Sequence, residues 1–181
     1  MIPRALSLLG LLAVLGVLWA APGWAQAAKR PAAVITLEKG GQVTLEFFPG
    51  DAPKHVENFL TLARKGFYDG QRVHRVDPGF VVQFGDPQSK TLPMDHPRMG
   101  TGGPGYTIKA EFNKRAFDRG VLGMARGDDP NSAGSQVYLM LGPAHFLNGQ
   151  YTAFGKVASG MDIVDKIKVG DRITSIKVVD R

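Results

Sequence analysis

Residues 73–86 read VHRVDPGFVVQFGD, two runs rich in Val and Phe that are separated by Pro78 and Gly79. A Pro-Gly pair between such runs is typical of a turn that joins two strands. Successive side chains of a strand point to opposite faces of a sheet, so one face can carry both apolar and polar groups. The stretch therefore predicts a hairpin that places His74 and the permanently charged Arg75 beside an apolar surface.

Most of the chain around this hairpin has the same strand-like alternation, interrupted by turns rich in Gly and Pro. The predicted strands are AVITLE (33–38), QVTLEFF (42–48), RVHRV (72–76), FVVQF (80–84), YTI (106–108), VLGMA (121–125), QVYLML (136–141), TAFGKV (152–157) and ITSIKVVD (173–180). The first two lie on either side of KGG and predict a second hairpin. No internal repeat is visible.

Two segments have helical spacing instead. The first runs from Asp51, which is the expected N-cap, to Gly66, the expected stop. The second is a short helix predicted from MDIVDKI (161–167). A chain of 181 residues with 44% hydrophobic residues fits one domain. The strand-like runs amount to roughly eight strands in one small domain, so we expect a mainly β fold: a closed eight-stranded antiparallel β-barrel capped by two short helices.

The N-terminus predicts export. Residues 1–25 combine a short positive start, a charge-free apolar run and a small-residue end, the outline of a secretory signal peptide. Cleavage is expected after Ala25, with Ala27 as the alternative site. An uncleaved membrane anchor is the rival interpretation, but its apolar run is shorter than the roughly 20 residues a spanning helix needs. We expect a flexible lead-in over 26–32, a domain over 33–181, and a periplasmic or secreted location.

Several common sites find little support. Removing residues 1–25 lowers the net charge only from +6 to +5, and no basic run indicates nucleic-acid binding. GTGGPG (100–105) matches a dinucleotide-loop string but follows a polar loop and precedes a strand-like segment. The chain has no Cys, and its four His are scattered, so neither a disulfide nor a metal site is expected. Ser135 lacks the surroundings of a nucleophile.

Separated motifs in one order carry a family resemblance. They are VHRVDPGFVVQFGD, GTGGPG, LGMARGDDPNSAGSQVYL and HFLNGQYTAFGKV, preceded by the APKHVENFL helix. From about Ala33 to Val179 the chain closely resembles the cyclophilin family of peptidyl-prolyl cis-trans isomerases, and MARGDDPNSAGSQ resembles its bacterial branch. The resemblance implies that no metal or cofactor is needed and that proline-containing unfolded polypeptides are the partners. We also expect the chain to be a monomer.

The resemblance also implies roles for particular residues. Arg75 and Gln83 take the catalytic positions. The implied substrate-binding residues are His74, Phe80, Val81, Arg126, Gln136, Tyr138, Phe146, Leu147 and Tyr151. Four of these depart from what is common in the family: Val81 stands where Met is frequent, Tyr138 for Phe, Phe146 for Trp and Tyr151 for His. In cyclophilins that Trp donates a hydrogen bond to cyclosporin, so Phe146 predicts an active enzyme that tolerates the drug.

Two other functions stay open at this point. A cyclophilin-fold chaperone would hold proline-containing segments without turnover mattering, and peptide binding alone would not distinguish it from an enzyme. A small-molecule carrier built on a closed barrel would need a hollow interior, whereas Leu, Val, Ile and Phe are spread over all the predicted strands.

Overall fold

The computed structural model describes residues 31–180, which form one eight-stranded antiparallel sheet. The strands are β1 (Pro31–Leu37), β2 (Gln42–Phe47), β3 (Arg75–Asp77), β4 (Val81–Phe84), β5 (Val121–Met124), β6 (Val137–Met140), β7 (Ala153–Ser159) and β8 (Ile173–Asp180). The helices are α1 (Pro53–Arg64) and α2 (Met161–Val164), and short 3₁₀ turns span Pro87–Lys90 and His145–Leu147. The predicted signal peptide and most of the predicted lead-in lie outside the described residues.

The sheet is open, so the predicted closed barrel is wrong. The strand order is β3-β4-β6-β5-β7-β2-β1-β8, which leaves β3 and β8 as edges. Within residues 31–180 no ladder joins these edges, and a single isolated bridge links Arg72 to Arg172 beside them. A barrel closes only when both edge strands pair along a continuous register. With three residues, β3 is too short to pair along β8, and the sheet curls into a half-barrel.

Both predicted hairpins are present. In the first, Gly40 and Gly41 have φ of 90° and 96°, values that favour glycine, and they turn the chain between β1 and β2. In the second, β3 pairs with β4 so that Arg75 lies opposite Gln83. The predicted strand YTI is absent: only Ile108 forms an isolated bridge, to Ala133. The register of the second hairpin brings the two residues predicted to be catalytic to neighbouring positions.

Helix α1 is capped by a residue that is distant in sequence. The expected N-cap Asp51 is wrong, because the helix begins one residue later, after Ala52, which makes no side-chain cap. The Asp51 carboxylate instead accepts a hydrogen bond of 2.9 Å from Arg115. The Glu111 carboxylate accepts the free backbone N–H groups of Lys54 and His55 at 3.1 and 2.9 Å. Helix termini need such partners for their unpaired amides, and here a loop supplies them.

Apolar side chains form two clusters, one on each face of the curled sheet. We call the cluster that α1 covers the main core; it includes Phe59 and Phe154, both fully buried. We call the smaller one the pocket cluster; it consists of Val81, Phe117, Val121, Tyr138, Met140, Ala144, Leu147 and Ala153. Adjacent residues of one strand belong to different clusters: Val82 lies in the main core and Val81 in the pocket cluster. This division follows from the alternation of a strand.

In the part of the chain that the structure describes, no helix has the length and apolar character needed to cross a bilayer.

Candidate active site

The pocket cluster opens to solvent as a cavity of about 370 Å³. Its size is that of a small-ligand or peptide site. The lining residues are Arg75, Phe80, Val81, Gln83, Ala125, Arg126, Tyr138, Phe146, Leu147 and Tyr151. The structure thus brings together nine of the eleven residues singled out from the sequence and adds Ala125. The other two, His74 and Gln136, lie beside the cavity rather than in its wall.

The base of the cavity is apolar and its mouth is aromatic. Val81, Tyr138 and Leu147 are 1%, 5% and 7% exposed and form the base. At the mouth the rings of Phe80 and Phe146 stack with their centroids 5.8 Å apart, and Phe146 is 68% exposed. An apolar ring that enters this cavity would be removed from water and would contact hydrocarbon side chains on several sides. Such burial stabilises an apolar ring by about 25 cal/mol per Å² of surface removed from water.

The Tyr138 ring packs closely against Gly123 of the neighbouring strand. A Cβ added to Gly123 would come within 2.4 Å of the Tyr138 ring, so only glycine leaves room for it. The Tyr138 hydroxyl is buried and has no hydrogen-bond partner among the described residues. Burial, followed by the nearby Tyr151, raises the pKa of Tyr138 well above its ordinary value. The hydroxyl therefore stays protonated and neutral at physiological pH.

Arg75 stands at the rim of the cavity, half exposed rather than enclosed in the core. One guanidinium nitrogen donates to the Gln83 side-chain oxygen at 3.2 Å and the other to Asp77 at 3.3 Å. The guanidinium carbon lies 5.6 Å from the centroid of the Phe80 ring. Arginine carries five N–H donors, so these two hydrogen bonds orient the group and leave donors for a ligand. The arrangement places a cation next to the apolar base of the cavity formed by Val81, Tyr138 and Leu147, which we call the cup.

A second cation, Arg126, also lines the cavity. The Arg126 guanidinium stacks on the Tyr151 ring at 4.4 Å and donates to the Gln150 carbonyl oxygen at 3.1 and 3.2 Å. It also donates to the Gly127 carbonyl at 2.7 Å. These contacts hold the loop that follows β5 against the loop that precedes β7. Arg126 therefore shapes a part of the cavity wall that Arg75 does not contact.

A chain of hydrogen bonds continues from Arg75 into the protein. Gln83 donates to the Gln136 side-chain oxygen at 3.0 Å, and Gln136 donates to the carbonyls of Gly100 and Gly102, both at 2.8 Å. The amides of these two glycines donate in turn to Asp86, at 2.6 and 3.2 Å.

The structure adds Asp86 to the residues around the site. It is fully buried, and it also accepts the amide of Gln88 at 2.7 Å. A lone acidic residue after a strand carried no functional signal in the sequence. The GTGGPG string, which lies beside Asp86 in the fold, carried part of the family resemblance, and as a phosphate loop it was rejected. A buried carboxylate becomes recognisable only when the distant amides that compensate it are known.

His74 lies below the rim with its ring largely buried. Neither ring nitrogen has a hydrogen-bond partner among residues 31–180. Burial lowers the pKa of His74 below its ordinary value of 6.5, so the ring is neutral at neutral pH. It packs towards Gly100 rather than into the cavity. The sequence predicted no nucleophilic role for Ser135. Its hydroxyl donates a hydrogen bond to the Gly85 carbonyl at 2.6 Å and so joins the segments beside two strands.

Over the described range 31–180, no cluster of three or more His, Asp or Glu side chains is placed to hold a metal ion. The groups that line the cavity are two guanidinium cations, one side-chain amide, two phenols and hydrocarbon. They can bind and polarise a ligand, and none of them is set up as a covalent nucleophile.

The fold is that of a known class of proteins. A crystal structure of a cyclophilin-type peptidyl-prolyl cis-trans isomerase from Cryptosporidium parvum superposes with a TM-score of 0.72 and 27% identity, covering 84% of this chain and 99% of that one. A second crystal structure of that protein, determined in the presence of the dipeptide Ala-Pro, gives 0.71 and 27%, covering 83% and 99%. The eight curled strands and few helices are thus the cyclophilin fold.

The sequence comparisons identify the family. Residues 33–180 match the family model described as cyclophilin type peptidyl-prolyl cis-trans isomerase/CLD. The chain is 50% identical over 149 residues to a probable peptidyl-prolyl cis-trans isomerase of Brucella abortus, covering 81% of this chain and 76% of the relative. It is 42% identical over 144 residues to peptidyl-prolyl cis-trans isomerase B of Bacillus subtilis, covering 78% and 94%. The chain belongs to the cyclophilin-type peptidyl-prolyl cis-trans isomerases.

Proposed function

We propose that this isomerase acts on X-Pro bonds of exported or envelope proteins, and that Arg75 stabilises the twisted imide while the apolar cup holds the proline ring. The observation that carries the proposal is the position of Arg75. Its guanidinium is fixed at the rim by Gln83 and Asp77, directly beside the cavity that Val81, Tyr138 and Leu147 close at the base.

An isomerase site must lower the barrier to rotation about the X-Pro peptide bond. Amide resonance gives rotation a barrier of about 18–20 kcal/mol, and X-Pro bonds isomerise in about tens to hundreds of seconds. When the bond twists, the imide nitrogen loses its conjugation and gains a basic lone pair. A donor directed at that nitrogen stabilises the twisted state more than either planar state, which is the condition for catalysis. Arg75 is always charged and provides such a donor.

The hydrogen bond from Arg75 alone is too weak to account for the rate acceleration that an isomerase must provide. Lowering the reaction time from about 100 s to about 1 ms takes five decades, or roughly 7 kcal/mol at 1.36 kcal/mol per decade. A hydrogen bond from a charged group supplies about 1.5–3 kcal/mol. In the proposal the remainder comes from the cavity, which holds the ring while Gln83 and the backbone near Arg126 hold the preceding chain. Excluding water there also strengthens the Arg75 contact.

A protease-coupled assay on a short X-Pro peptide tests the activity. The purified protein should shorten the slow phase that reports cis-to-trans isomerisation, in proportion to its concentration. A protein that only holds proline-containing segments would bind the peptide and leave the rate of that phase unchanged. Parallel measurement of peptide affinity by NMR titration separates these two results.

The proposed location rests on the N-terminal sequence. Residues 1–25 have the composition of a signal peptide, and cleavage after Ala25 would produce a mature chain that begins at Gln26. The mature protein would then meet unfolded clients in the periplasm or outside the cell, as a monomer. Mass spectrometry of the protein from the envelope fraction should find Gln26 at the N-terminus. An intact Met1 would contradict cleavage and favour an anchor.

A further inference from the structure

We infer that Asp86 is a positioning residue for Arg75: through the segment Gly100–Gly102 and the side chains of Gln136 and Gln83, it sets the direction of the guanidinium. The inference rests on the proposed role of Arg75. It goes beyond it by assigning a function to a buried carboxylate that does not touch the cavity.

Asp86 fixes the glycine segment from below. One carboxylate oxygen accepts the amides of Gly100 and Gly102 at 2.6 and 3.2 Å, and the other accepts the amide of Gln88 at 2.7 Å. A fully buried carboxylate is stable only when such donors compensate it, so the segment and the carboxylate hold each other in place. The carbonyls of the same two glycines then face outward toward Gln136.

The fixed carbonyls determine how both glutamines are oriented. Gln136 donates both of its amide hydrogens to Gly100 and Gly102, so its oxygen is the part that faces Gln83. Gln83 must then present its amide nitrogen to Gln136, which leaves its own oxygen for Arg75. A side-chain amide carries its acceptor oxygen and its donor nitrogen on opposite sides. Fixing the nitrogen of Gln136 therefore fixes the orientation of Gln136, and that in turn fixes the orientation of Gln83. The Gln83 oxygen therefore faces Arg75 as an acceptor, and this orientation depends on the hydrogen bonds by which Asp86 holds Gly100 and Gly102.

Gly102 offers a way to disturb this chain without removing the carboxylate. A Cβ added to Gly102 would lie 2.1 Å from the Asp86 oxygen Oδ1 and 2.8 Å from the Gln88 side-chain nitrogen, so Gly102→Ala must displace either the glycine segment or the Asp86 carboxylate. The adjacent Gly103 has nothing within 4 Å of an added Cβ. Neither glycine has a positive φ, so alanine suits both backbones. Gly103→Ala is therefore a matched control.

The experiment compares kcat and peptide affinity for four forms: the unmodified protein, Gly102→Ala, Gly103→Ala and Asp86→Asn. We expect Gly102→Ala and Asp86→Asn to lower kcat by about three- to thirtyfold, since misplacing a catalytic group by about 1 Å can cost up to about a hundredfold. Affinity for a short peptide that fills only the cup should change less than about twofold, because the glycine segment does not line that cavity, and Gly103→Ala should keep its kcat. Thermal unfolding of each variant establishes that it is folded.

Introducing Arg75→Ala separates the inference from the proposed mechanism. If the segment acts through Arg75, Gly102→Ala lowers kcat in the unmodified protein but has almost no further effect when Arg75 is already Ala. The same factor lost in both backgrounds would overturn the inference, and so would an unchanged kcat in folded Gly102→Ala. Retention of activity by Arg75→Ala alone would instead contradict the proposed role of Arg75. The side-chain Nε–H signal of Arg75 in NMR spectra should shift in Gly102→Ala and stay in place in Gly103→Ala.

Discussion

The main core and the pocket cluster occupy opposite faces of one sheet, and they differ in what covers them. Helix α1 covers the main core, where Phe59 packs its ring 5.0 Å from Tyr68 and 5.8 Å from Phe154. Within residues 31–180 no α-helix covers the pocket cluster, and Phe146 at its mouth is 68% exposed. Apolar side chains therefore serve stability on one face and remain available to a ligand on the other. The same strands supply both, through the alternation that separates Val81 from Val82.

The largest effect on stability is expected in the main core. Phe59→Ala should lower the free energy of unfolding by about 3–5 kcal/mol, since it removes a fully buried ring and leaves a cavity. Urea unfolding measures this loss. The control is Phe146→Ala, which should cost less than about 0.5 kcal/mol because the ring is already exposed. Equal losses from the two variants would mean that the faces do not differ as described.

Arg75→Ala should have a large effect on activity and a small effect on stability. We expect kcat/KM to fall by about ten- to a thousandfold, as the variant loses a charged donor and its orientation. The free energy of unfolding should change by less than about 1 kcal/mol, because the ion pair with Asp77 is half exposed. Lys should restore little activity, since it lacks the planar fork. Activity above about half of the original would exclude Arg75 as the donor.

Phe146→Trp tests the mouth of the pocket. The family resemblance assigns position 146 to a Trp whose indole N–H binds cyclosporin, and Phe has no such donor. Restoring it should tighten inhibition by about five- to 150-fold, equivalent to about 1–3 kcal/mol, with little change in kcat/KM for a short peptide. Inhibition titrations of both forms measure this. Nanomolar inhibition of the unmodified protein would show that Phe146 does not limit the drug.

The smallest effect concerns pH and the cap of α1. His55 is fully buried, and its Nδ1 lies 2.7 Å from the Glu111 carboxylate. Burial lowers the pKa of His55 despite this partner. Burial alone would raise the pKa of Glu111, but the hydrogen bonds from His55 and Lys54 lower it. For both groups the unfolded chain binds protons at a higher pH than the folded chain does.

The stability that this pair supplies is therefore complete above pH 6.5 and is lost as the pH falls, first through His55 and then through Glu111. Urea unfolding between pH 7.5 and about 4.5 should show a decline that is weaker in His55→Gln. His145→Gln, which changes an exposed His, should keep the decline. If stability rises on acidification, the assignment of a neutral His55 fails.

Local patterns predicted most of the strands and helix α1, whereas the residues of the pocket were predicted from the resemblance to the cyclophilin family. Alternation identified the hairpin that aligns Arg75 with Gln83, and helical spacing identified α1. Closure of the sheet could not be read from these patterns, because it depends on whether two edges distant in sequence have enough length to pair. The cap of α1 was misassigned to Asp51 for a similar reason: Glu111, in a loop far along the chain, provides it. Asp86 escaped notice because its partners lie 14 and 16 positions away.

The close fit between Tyr138 and Gly123 constrains how this pocket can change over evolutionary time. Since the aromatic ring occupies the space of a Cβ on the neighbouring strand, any larger residue at 123 is incompatible with the present conformation of Tyr138. A lineage that acquires a side chain at 123 must first, or at the same time, move or replace the tyrosine. The two positions are therefore epistatic, and the order in which mutations arise at the base of the cup is restricted by this single contact.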